Sequence, residues 1–249
     1  MLVLAIETSC RRGSVALVES NRTLADAWHD EANAHGERLI GLIDEVFARA
    51  QRRPVELDRV AVGRGPGTFT GLRVGLALAQ GIASGLHVPS IGVSSLRAMA
   101  EAMPVRTRGN RWPILDARRS ELFLACYGDD GAELLSPRAV PRPGIADTVR
   151  RLNADLGSSS PESWLLGQVV SDIPEFDDVG FTAECGFLPF RSDATDWPGA
   201  AAVGRLASNP AETAPASPQY LRDADAIRPS LPPCPLDRPE EAGRLAEVR

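Results

Sequence analysis

The sequence contains no lysine: all 27 of its basic residues are arginine. That excludes a P-loop lysine on a phosphate and a Schiff-base lysine. Set beside the high alanine and proline content, the absence reflects genome composition more than function. Histidine is nearly as scarce, with only His29, His35 and His87. No two of these stand at helical spacing and none joins a cysteine or carboxylate cluster, so no histidine-based metal site is expected. Each reads as a surface or helix-start residue. Cys10, Cys126, Cys185 and Cys234 are scattered without a CxxC pair. A zinc ribbon, a dithiol redox site and a disulfide framework are excluded, and a reducing compartment is expected. There is no G-x-S-x-G nucleophile elbow. The opening MLVLAIETSC is too short and lacks the basic flank of a signal peptide, and no apolar run reaches membrane-spanning length. The expectation is a cytoplasmic protein with no membrane partner. A net charge of -6 argues against a broad electrostatic grip on nucleic acid.

What is present is patterned for an α/β fold. Residues 2–7 form a continuous apolar run, and residues 13–19 and 23–28 follow as strands around the turn Ser20-Asn21-Arg22. Between His35 and Ala50 the period becomes helical, with Asn33 as the expected N-cap. The apolar arc of this helix is wide, which allows one edge for the sheet and another, around Ile40 and Phe47, for a partner. A strand near residues 60–63 then leads through a glycine-proline loop into a helix starting near Thr70. A strand (88–93) and a helix (94–103) complete a βββαβαβα order. Residues 104–111 read as a basic link. Leu115 and residues 121–127 open a second strand set, with Asp130-Gly131 as a hairpin turn. Helices are expected over 145–156 and 199–208, and a strand over 164–166. No internal repeat of 20–50 residues is found.

Chemistry could sit in few places. Gly63, Gly65 and Gly67 precede a helix carrying Gly71, Gly75, Ala79 and Ala83 at four-residue spacing. The pattern is neither a Walker loop nor GxGxxG, so a phosphate cradle competes with a close-packing device. Glu7, Thr8 and Ser9 end the first strand as candidates for nucleotide or phosphate contact. Turn chemistry explains them equally. The charged run from Asp116 to Glu121 reads as a solvated strand end or a partner ion pair.

Taken together, ETSC, HGERL, AVGRGPGTFTGLRVGLALAQGIASGLHVPSIGVSSLRAMA, LDARRSEL and PQYLR resemble the bacterial TsaB family. The match is dense over residues 1–102, patchier over 115–222 and absent beyond. The resemblance implies a two-lobed actin-like (ribonuclease-H-like) fold, each lobe a mixed sheet flanked by helices. The lobes would span residues 1–103 and 112–195, with residues 196–222 packing back on them and a disordered Pro-rich tail over 223–249. It also implies a non-catalytic subunit that binds TsaD and supports threonylcarbamoyl transfer to the adenosine beside the anticodon of ANN-decoding tRNAs. The catalytic paralogue carries a metal-binding histidine pair where this chain has Ser95 and Met99, and those side chains cannot hold the same cation. No catalytic residue, metal or cofactor is therefore expected, beyond weak ATP or ADP binding. Expected partners are a TsaD-like subunit, through it a TsaE-like ATPase and tRNA, and a second copy when the chain is alone. The implied seam comprises Leu39, Ile43, Phe47, Leu72, Gly75, Leu76 and Ala79. One departure stands out: Glu7 replaces the usual aspartate of such chains. The competing readings are a nucleotide-dependent ATPase or kinase of the same fold, and a glycoprotease-like hydrolase.

Overall fold

The computed structural model of the chain describes residues 1–31, 33–157, 162–177, 181, 186–209 and 214–221. The tail beyond residue 222, with its expected disorder, lies outside them, as do Cys185 and Cys234. β1 (Leu2–Glu7) is buried at every position, as a strand covered on both faces must be. It sits at the centre of a five-stranded sheet ordered β3-β2-β1-β4-β5. β2 (Gly13–Glu19) pairs antiparallel with β1, and β3 (Arg22–His29) antiparallel with β2. Ser20 and Asn21 both take left-handed φ values, 50° and 71°, which matches the twist of a tight hairpin. β4 (Arg59–Gly63) and β5 (Ser90–Val93) add parallel strands on the other side of β1. They are reached through α1 (His35–Ala50) and α2 (Phe69–Leu86), and α3 (Ser95–Glu101) follows.

A second sheet repeats this plan. β6 (Asn110–Arg118) is central, β7 (Glu121–Tyr127) and β8 (Glu133–Pro141) form its antiparallel side, and β9 (Ser163–Leu166) and β10 (Phe187–Phe190) its parallel side. α4 (Ile145–Asp155) is the crossover from β8 to β9. The result is the expected two-lobed architecture, with a mixed sheet in each lobe. Its two main cores centre on Leu4, Ile6, Leu39 and Leu72 and on Trp112, Ile114, Phe176 and Phe187. After the single turn α5 (Asp193–Asp196), α6 (Ala200–Ala207) returns to the first sheet. There it buries Ala200 and Val203 against Val3, Ala5 and Val18.

Three local expectations change. The N-cap of α1 is Ala34, because Asn33 takes a left-handed φ of 61° one residue before that cap and no side chain caps the helix. β5 begins at Ser90: His87 ends α2 in the left-handed region and the Val88 amide still bonds to Ala83, which keeps residue 88 out of the sheet. Residues 110 and 111 of the basic link belong to β6, where Arg111 is buried and donates to the Ala100 carbonyl.

Candidate functional site

The glycine-rich stretch over residues 63–75 is a socket for the chain's own β1–β2 loop. β1 delivers Glu7, Thr8 and Ser9 to its end, and all three are fully enclosed. Thr8 Oγ1 donates to the Gly71 carbonyl at 2.8 Å, and the Thr68 amide donates to the Ser9 carbonyl at 2.7 Å. A Cβ added at Gly63 would overlap the Glu7 carboxyl, at Gly67 the Ser9 carbonyl, at Gly71 the Thr8 carbonyl and at Gly75 the Thr8 hydroxyl. These glycines are therefore required by the close approach of the β1–β2 loop, by its backbone at Gly67 and Gly71 and by side chains at Gly63 and Gly75. Thr8 and Ser9 pack directly against Gly67, Gly71 and Gly75. Glu7, Thr8 and Ser9 thus make packing and hydrogen-bonding contacts within the protein.

Glu7 is the one carboxyl buried in this region. Its Oε1 accepts from the Ser9 amide at 2.6 Å and its Oε2 from Ser95 Oγ at 2.8 Å. Burial raises its pKa above the ordinary 4.5 and outweighs these hydrogen bonds, which act in the opposite direction. Ser95 thus becomes a structural partner of β1. Met99, one turn on, is fully buried among Leu96, Leu115 and Phe123. Among the described residues, no group of three or more His, Cys, Asp or Glu side chains could hold a metal ion. Burial, and after it the Glu7 charge, push the Cys10 thiol pKa far up, so Cys10 is a poor nucleophile.

The seven residues expected at a partner seam point inward. Leu39, Ile43, Phe47, Leu72, Leu76 and Ala79 belong to the first core, and Gly75 faces Thr8. The reason is geometric: α1 and α2 lie on the same face of the first sheet, and it takes their larger apolar arc. What remains outward is different. Ile40 is 53% exposed, and Gly36, Gly41, Gly81 and Gly85 have nothing within 4 Å of an added Cβ. Val74, Leu78 and Ile82 are half-buried along α2.

Two clusters escape a reading by sequence. His35 is the helix-start residue of α1, but it and His29 are both buried and bonded to each other, Nε2 of His29 to Nδ1 of His35 at 3.0 Å, so neither is a surface residue. Arg12 lies over the Trp28 ring at 4.3 Å, near Trp197, and pairs with Asp193 at 2.8 Å. Only the tertiary fold brings residues 12, 28 and 193–197 together, so no local spacing signals the cluster.

A family model described as TsaD, tRNA N6-adenosine threonylcarbamoyltransferase, matches residues 29–142. The TsaB protein of Escherichia coli, a tRNA threonylcarbamoyladenosine biosynthesis protein, is 35% identical over 133 residues, 52% of this chain and 56% of that one. The solved structure of YeaZ from Pseudomonas aeruginosa superposes with a TM-score of 0.65 at 25% identity, covering 88% of this chain and 99% of that one. The chain is thus similar to TsaB proteins in sequence over about half its length, and to YeaZ in fold over most of it. It spans about half the length of the curated relatives it matches. An activator of 2-hydroxyisocaproyl-CoA dehydratase from Clostridium difficile, solved with ADPNP, shares the fold alone, with a TM-score of 0.51 at 8% identity. In this chain the Glu7 carboxyl stands at the end of β1 and is turned into the protein, toward Ser9 and Ser95.

Proposed function

We propose that this chain is a non-catalytic subunit of a tRNA-modifying assembly. It binds a TsaD-like subunit and supports transfer of threonylcarbamoyl to the adenosine beside the anticodon. A TsaE-like ATPase and tRNA join through that partner, and a second copy of this chain takes the same face when the partner is missing. The observation that carries this reading is the outward face of α1 and α2. It combines an exposed Ile40, half-buried Val74, Leu78 and Ile82, and glycines that leave open space above the backbone. α2 bears no acidic residue and a single arginine, Arg73. A partner helix can approach such a surface without desolvating charge on α2. The non-catalytic role is supported by Ser95 and Met99, both committed to internal contacts, and by the sealed Glu7–Ser9 loop.

The test is co-expression with the TsaD-like protein of the same organism. Light scattering would measure complex formation, and threonylcarbamoyl incorporation into tRNA would be assayed with and without this chain. Changing Ile40→Asp together with Gly81→Gln should weaken the complex at least about tenfold while leaving the melting temperature of the isolated chain in place. Full complex formation by that folded double variant, or modification that proceeds equally without the chain, would overturn the reading.

A further inference from the structure

The buried histidine pair forms a three-bond relay whose hydrogen positions are set from both ends. At one end the Glu31 amide donates to His29 Nδ1 at 3.3 Å, so that nitrogen carries a lone pair. A neutral His29 then has its hydrogen on Nε2. At the other end His35 Nε2 lies 3.0 Å from the Cys10 carbonyl, which can only accept, so His35 carries its hydrogen on Nε2 and a lone pair on Nδ1. The middle bond follows without conflict: His29 Nε2–H donates to His35 Nδ1 across 3.0 Å. All four ring nitrogens are satisfied, and only when both rings are neutral.

An added proton has no place in this chain. On His35 Nδ1 it would face the Nε2–H of His29. If His29 moved its own hydrogen to Nδ1, that hydrogen would face the Glu31 amide instead. One of the three bonds must break. The surroundings do not hold the rings apart from this conflict. Gly13 packs so closely that an added Cβ would overlap both imidazoles, and the rings meet edge to face at 5.0 Å. The charged groups facing the pair are Asp30, Glu31 and Arg38, with Arg11 beyond. Asp30 is paired to Arg11 at 3.0 Å and Glu31 to Arg38 at 2.6 Å, so both carboxylates are already engaged. Cys10 contributes its carbonyl, and its thiol remains protonated.

We propose that His29 and His35 are a proton-sensitive latch that fastens the N-terminus of α1 to the β1–β2 loop. The latch is closed while both rings are neutral and opens when the pair takes up a proton. Burial lowers the pKa of both rings, and the neighbouring His35 lowers that of His29 further. The sign follows: an unfolded chain binds protons on these histidines before the folded one does. The stability the latch contributes is therefore present at neutral pH and lost as pH falls below the ordinary histidine value of 6.5. The loop it fastens also carries Thr8 and Ser9, which underlie α2, so one relay holds both helices to a common support.

Nitrogen-15 spectra of the ring nitrogens at pH 7.5 should show both histidines as neutral Nε2–H tautomers. An imidazolium or an Nδ1–H tautomer at either ring would overturn the proposal. Hydrogen-exchange protection factors, corrected for intrinsic rates, should then be followed from pH 7.5 to 5. Those of Arg38 and Leu39 in α1 should fall at least about tenfold relative to the centre of α2, as expected for net uptake of a proton over that range. The His29→Gln variant separates this from simple packing. Its amide can turn to offer either N–H or C=O to His35, so the first turn of α1 should stay protected at pH 5. An unchanged pH profile in folded His29→Gln would sink the latch. Its test needs only this chain and is independent of whether a TsaD-like partner binds.

Discussion

A single carboxyl illustrates how this chain spends polar residues in its core. Glu7 stands where the apolar strand β1 meets the loop, and it is held by one amide and one hydroxyl. Its pKa is raised in the folded state, so the folded chain retains a proton that the unfolded chain releases near 4.5. Stability contributed by Glu7 therefore falls as pH rises from 4.5 through the raised value, with a limiting slope of about 1.4 kcal/mol per pH unit for one proton. Glu7→Gln keeps the shape and removes the titration. Relative to the parent, the variant should gain stability as pH rises from 5 to 8, read as the difference between two denaturant-midpoint series. A parallel pair of series would show that Glu7 does not titrate differently on folding. Its position at a strand end was evident from the sequence. Its enclosure was not, because that depends on Gly63 and Ser95 arriving from two other elements.

At the scale of elements, α2 shows two kinds of glycine on one helix. Gly71 and Gly75 face the β1–β2 loop, whereas Gly81 and Gly85 face open space. The four-residue spacing marked a small-residue face without saying what would lie against it. A Cβ at Gly75 would overlap the Thr8 hydroxyl, so Gly75→Ala should destabilise the chain by about 1–3 kcal/mol through overpacking. At Gly81 the same substitution should stabilise by up to about 1 kcal/mol, because alanine restricts the unfolded chain and favours helix. Chemical denaturation of the two variants checks both signs, and stabilisation by Gly75→Ala would contradict the socket. The bounds of α1 were readable from its period, and those of α2 to within a residue, since each helix must turn a broad apolar stripe to the sheet. Their outer and inner faces were harder to assign: the same Leu39 and Leu72 would fill either a core or a seam.

The whole molecule repeats one sheet plan in both lobes, with a central strand, an antiparallel pair on one side and a parallel pair on the other. No sequence repeat reveals this. Residues buried at equivalent places need only be apolar, and that tolerance lets two copies of a plan lose their likeness. Nor is the first lobe built from consecutive residues alone. α6 supplies the second cover of its sheet, with Gly204 close against Val18 and Ala5 and the Ala200 amide donating to Ser14 Oγ. Beyond it, the Gly92 amide donates to the Ala214 carbonyl, and the Gln219 amide to that of Arg64. We therefore expect a chain ended at residue 195 to expose the face made by Val3, Ala5 and Val18. Circular dichroism should show it without the cooperative thermal transition of the full chain. A truncated chain that melts as sharply and as late as its parent would show that α6 is dispensable.

By itself the sequence determined the order of strands and helices in the first lobe, the α/β class and the absence of lysine chemistry. These depend on local periodicity, turn residues and composition. Only the tertiary structure decided which surfaces are inside. It sealed Glu7, Thr8 and Ser9 against the glycines of residues 63–75, and turned the expected seam residues into core. It also joined His29 to His35 across a loop. Each of these outcomes rests on contacts between elements distant in the chain, where one apolar or polar residue has several possible neighbours and close packing admits only one.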